Sequence, residues 1–115
     1  MGIEAGTRAP LSFDEGAVKS FAEKLAAAFI AMPPMNSAHA LDLTAGIIGG
    51  IFKEGAQARG VRNIDWSKLL GAANGDFVEE CRDRQLSQKP FNAEESVKLY
   101  LASLARVWNS PRVQF

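Results

Sequence analysis

The chain has 115 residues, 47% apolar and 23% charged, which suits one domain with one core and argues against general disorder. Its 13 basic and 13 acidic residues cancel, so it lacks the basic excess that marks a nucleic-acid binder. Cys81 is the only cysteine, which excludes an intrachain disulfide and leads to the expectation of a cytoplasmic chain.

Residues 1–10 are rich in Gly and Ala, show no period and close on Pro10, so a flexible arm is expected. They lack a charged stretch followed by an apolar one, so no signal peptide is expected there. The first helix is predicted from Ser12 to Met32. Ser12 and Glu15 stand three apart as in a capping box, and Phe13, Ala17, Phe21, Leu25, Phe29 and Met32 recur at helical spacing. Pro33 and Pro34 end it.

Asn36 or Ser37 caps a second helix that runs to Gly60, a residue suited to the position after a helix end. Its middle is apolar nearly all round, with Leu41, Ala45, Ile48 and Phe52 on one face and Ala40, Leu43, Ile47 and Ile51 on the next. So wide a stripe predicts a central helix, the most buried of the set. The apolar run from Leu41 to Phe52 is too short for a membrane span, which needs about 20 residues.

Gly46, Gly49 and Gly50 lie inside this helix, each costing about 1 kcal/mol relative to alanine. Close approach of another backbone would offset that cost. The expected neighbour is a helix of the same chain; a second copy or a ligand against bare backbone are the alternatives. A phosphate loop is the weakest reading, because no strand precedes the glycines and no Gly-Lys-Ser/Thr follows.

Asp65 caps a short helix from Trp66 to about Ala73, which Asn74-Gly75 is expected to end. Asp76 and Glu79 then open a further helix to about Ser87, thin in apolar residues and dense in charge. Glu80 and Arg84 on it have the spacing of a helical ion pair, and the cluster reads as a solvated face. After Pro90, Asn92 and Glu95 open the last helix, Ala93 to about Asn109. Val97, Leu101, Leu104 and Trp108 form its seam, and Pro111 begins a tail over residues 111–115.

The expected fold is therefore all-α: a single-domain bundle of four to five helices with short connections over residues 11–110. Chemistry is sparse. His39 has one carboxylate, Asp42, within a helical turn, too few groups for a metal site. Cys81 falls on the apolar side of its helix, where a cysteine is ordinarily an inert small hydrophobe. No catalytic, metal or cofactor residues are assigned.

The leading expectation is a small soluble protein-binding module without catalytic activity: an adaptor, inhibitor or assembly component. Its partner is another protein, possibly a second copy in a homodimer, and not nucleic acid or membrane. The candidate interface residues are Gly46, Ile47, Gly50 and Ile51 on the second helix, Trp66 at a loop edge, and Phe115 in the tail. The alternative is a carrier or sensor of a small apolar ligand, with the glycine strip and the aromatics of the first two helices lining a pocket.

Overall fold

The computed structural model describes residues 11–30, 37–61, 64–85 and 92–110. Among these it contains four helices and no strand: α1 (Glu15–Ile30), α2 (Ser37–Ala58), α3 (Trp66–Asp83) and α4 (Ala93–Asn109). The arm at residues 1–10 and the tail at 111–115, with Phe115, lie outside the described residues.

Three helix ends follow the local signals. The Asp65 carboxylate accepts from the Lys68 amide at 3.1 Å, and the Asn92 side chain accepts from the Glu95 amide at 2.9 Å. Each satisfies an amide that the helix itself leaves unpaired. Gly60 adopts φ +86°, and the amides of Gly60 and Val61 donate back to the carbonyls of Gln57 and Ala56 at 3.0 Å each. This is the paired closure that a left-handed residue allows, so Gly60 ends α2 as expected.

The start of α1 differs. The helix begins at Glu15, and Asp14 caps it: its carboxylate accepts from the Ala17 amide at 2.8 Å. Ser12 does not open the helix, because the segment before it is held elsewhere. The Leu11 amide donates to Asn109 Oδ1 at 3.0 Å, and Asn109 Nδ2 donates to the Leu11 carbonyl at 3.3 Å. A segment pinned to the end of α4 cannot also wind into α1.

The expected break at Asn74-Gly75 does not occur, so the two predicted helices are one. Leu69, Ala73, Phe77 and Cys81 recur every four residues and are all fully buried, forming one ridge through the Asn-Gly pair. The cost of about 1 kcal/mol for a helical glycine is small beside such a ridge, since each large apolar side chain contributes about 1.5–3 kcal/mol on burial. Asp76, read as a cap, instead forms an ion pair with Arg106 of α4. The helix ends at Asp83, with Gln85 just beyond it at φ +55°.

The central helix is α4, not α2. Both α2 and α4 touch all three other helices, but the two most extensive helix contacts, with α3 and with α1, belong to α4. Its buried set is Ser96, Val97, Tyr100, Leu101, Ser103 and Leu104. Tyr100 widens the apolar seam as its spacing suggests, and Ser96 and Ser103 widen the buried face beyond what apolar patterning counts. Ser103 accepts from Arg106 at 3.2 Å, and Tyr100 donates to Asn74 Oδ1 at 2.7 Å. These polar atoms are therefore satisfied inside the core. From α2 only Thr44, Ala45, Ile48 and Gly49 are buried among the described side chains.

The glycine strip divides accordingly. A β-carbon at Gly49 would lie 2.7 Å from the Tyr100 hydroxyl, whereas at Gly46 or Gly50 it would meet nothing within 4 Å. The expected close neighbour exists at one glycine of three. Gly49→Ala should displace Tyr100 from its bond to Asn74 and destabilise the fold by about 1–3 kcal/mol. Gly46→Ala, on an open helix face, should stabilise it by up to about 1 kcal/mol. Chemical denaturation of the two variants checks both signs.

Candidate functional site

α1 and α2 lie side by side, with the N-terminal half of α1 facing the C-terminal half of α2, as antiparallel neighbours do. Between them runs a half-open groove of about 620 Å³. One wall is a single face of α1: Ala17, Ser20, Phe21 and Lys24. The other is a face of α2: Ile51, Phe52, Gly55, Ala56 and Arg59. Leu11 to Asp14 close one end, and Trp108 of α4 reaches in beside them.

Aromatic rings set the character of the groove. Phe13 meets Phe21 and Phe52 edge-on, with centroids 6.2 and 6.1 Å apart. Phe52 in turn meets Trp66 at 6.1 Å and Trp108 at 6.4 Å. Edge-to-face pairs of this kind contribute about 0.5–1.5 kcal/mol each beyond the area they bury. All five rings are half-buried, so the cluster both supports the fold and offers apolar surface. A second, shallower depression of about 330 Å³ lies beyond Phe13, against Val18, Lys98, Leu101 and Ala105.

The aromatics of the first two helices do line a groove. The strip of Gly46, Gly49 and Gly50 does not; the glycine in the wall is Gly55. Of the candidate interface residues among those described, only Ile51 belongs to the lining. Gly46 is exposed and Gly50 half-buried, both with open space above them. Ile47 packs on the core, and Trp66 stands behind Phe52, away from the lining. Lys24, Arg59 and Trp108 were not separable in the sequence from ordinary surface and seam positions. Trp108, read as core, is half-buried at the groove instead. The available signal was the aromatic residue on the apolar face of each helix, Phe21 on α1 and Phe52 on α2, which an antiparallel pair of helices brings to one groove.

The charge cluster has a structural side. Arg84 pairs with Glu80 at 3.4 Å, the helical pair that the spacing suggests. Arg106 of α4 reaches both Asp76 and Glu80, the latter at 3.7 Å, and so fastens α3 to α4. Among the described residues no group of His, Cys, Asp and Glu could hold a metal ion, and no helix is long and apolar enough to cross a membrane. His39 lies within α2, at a position whose side chain is outside the described set.

Cys81 is fully buried on α3. Burial, with Glu80 and Glu95 nearby, pushes its thiol up to about 11, against a smaller opposing effect of Arg84. That is the reverse of nucleophile activation. Burial also raises the Tyr100 phenol above its ordinary range. Comparison with protein-family models, with curated proteins and with solved structures finds no match to this chain.

The raised thiol has a consequence for stability. The folded chain holds the Cys81 proton up to about 11, while the ordinary value is 9.0. Between these values the unfolded state has released the proton and the folded state has not, so stability falls as pH rises. The contribution is complete below about 9 and lost through about 11. The melting temperature should therefore decline across that interval, and decline less in Cys81→Ala. The native thiol should also resist alkylation at pH 8 until the chain unfolds.

Proposed function

We propose that this chain is a helical protein-binding module without catalytic activity, which receives an apolar segment of another protein in the α1–α2 groove. The observation that carries the reading is the groove itself: about 620 Å³, half-open, and faced by rings from α1, α2, α4 and the segment before α1. Aromatic side chains are the residues that most often anchor binding energy at protein interfaces, because they bring large area at little conformational cost. The one thiol is buried outside the lining, which favours binding over nucleophilic chemistry there. A cytoplasmic location belongs to the same proposal and rests on the single cysteine.

One observation favours a second reading. The groove volume lies within the range of small-ligand sites, about 300–1,000 Å³, so a carrier of an amphiphilic small molecule would also fit. Its half-open form favours the protein partner, since a carrier gains by enclosing its cargo.

Gly55→Leu separates groove-dependent binding from background. A β-carbon at Gly55 meets nothing within 4 Å, and Gly55 lines the groove, so a leucine there is expected to occupy groove space. Affinity capture with quantitative mass spectrometry should find partners of the wild type depleted about tenfold or more with Gly55→Leu, a loss of about 1.4 kcal/mol. Equal capture by two variants of identical circular dichroism would remove the groove from the proposal.

A further inference from the structure

We infer that the segment seated in the groove is an acidic amphipathic helix of a partner protein; the inference rests on the reading of the groove as a protein-binding site. Three features point to it. The first is the shape of the walls. Ala17 and Ser20 on α1 face the groove together with Gly55 and Ala56 on α2. Small side chains on two neighbouring helices leave a trough between them, and space is open above Gly55. Ala17 to Lys24 and Ile51 to Arg59 each cover about two helical turns, roughly 10–12 Å at 1.5 Å per residue. A helix laid in such a trough presents anchors at positions i, i+3, i+4 and i+7 over that length.

The second feature is what the fold does not offer. The described residues contain no strand, so an extended peptide has no sheet edge to join and would leave its backbone groups unpaired against apolar rings. A helix satisfies its own backbone and can lie on Phe21, Phe52 and Trp108 without that cost.

The third is charge. Lys24 and Arg59 line the groove, both exposed, and neither forms an ion pair with a described residue. Among the described lining residues the one carboxylate, Asp14, caps α1. Lys24 lies on α1 and Arg59 at the end of α2, so each flanks the trough from a different wall. Glutamates on the two edges of a bound helix would meet them, while lysines there would be repelled.

The test uses the full chain and two synthetic helices of about 15 residues, near the length at which a helix becomes stable alone. Both carry leucines at the i, i+3, i+4, i+7 positions. One has glutamates on its edges, the other lysines. Calorimetric titration at low salt should give the acidic peptide about tenfold tighter binding, two exposed ion pairs being worth about that much at most. The preference should shrink as salt rises. In the double variant Lys24→Glu, Arg59→Glu it should reverse, and Gly55→Leu should block both peptides.

Equal binding of the two peptides, blocked by Gly55→Leu, would overturn the acidic preference and leave the groove as a protein site. Binding of neither peptide would overturn the inference and the groove reading together. Decanoate binding alone, blocked by Gly55→Leu, would make the groove a carrier site and overturn both. A sedimenting species at twice 12.4 kDa that Gly55→Leu splits would place a second copy in the groove and overturn the acidic helix.

Discussion

Tyr100 sets the spacing of three helices with one side chain. It stands in the middle of α4, fully buried, with its ring edge-on to Phe77 at 5.5 Å and its hydroxyl donating to Asn74 of α3. The same hydroxyl occupies the space that a side chain at position 49 of α2 would need. A buried phenol without a partner costs about 1–3 kcal/mol, so the hydrogen bond to Asn74 is what permits a tyrosine there at all. In exchange for one polar contact the core gains a ring large enough to reach from α4 to both α2 and α3.

Much of the remaining architecture depends on that arrangement. The Asn74 side chain accepts from Tyr100, which adds to the buried ridge of Leu69, Ala73, Phe77 and Cys81 that carries α3 through an Asn-Gly pair. Arg106, less than two turns further along α4, fastens the outer edge of the same contact to Asp76 and Glu80. α2 is drawn in at Gly49 and left free at Gly46 and Gly50. The buried face of α4 thus continues from one neighbour to the next, and α1 packs on what remains of it.

The groove is the consequence at the other end of the molecule. α1 and α2 meet less extensively than α3 and α4 do, and small residues at Ala17, Ser20, Gly55 and Ala56 leave a channel between them. Phe52 sits at its base and touches the rings of Phe13, Trp66 and Trp108, which come from three separate parts of the chain. These rings close the end of the bundle and are only half-buried in doing so. Stability and binding capacity share the same side chains there, which is the ordinary condition of an apolar groove in a small domain.

What the sequence by itself determined is local. Helical character, the caps at Asp65 and Asn92, and the turn at Gly60 were all legible, because each depends on groups within a few residues of one another. The apolar faces that carry Phe21 on α1 and Phe52 on α2 were legible for the same reason, each within its own helix. Only the tertiary structure decided that Asn74-Gly75 would stay helical, that Asp14 rather than Ser12 would cap α1, and that α4 rather than α2 would be central. Two of these turn on a partner distant in the chain, Tyr100 for Asn74 and Asn109 for Leu11, and the third on how extensively α4 packs against α1 and α3. Local signals rank the apolar content of α2 above that of α4, since Ser96 and Ser103 do not add to an apolar stripe. Burial depends instead on what each face meets once the helices have packed, as the Tyr100 hydroxyl meets Asn74, and that no single stretch of sequence contains.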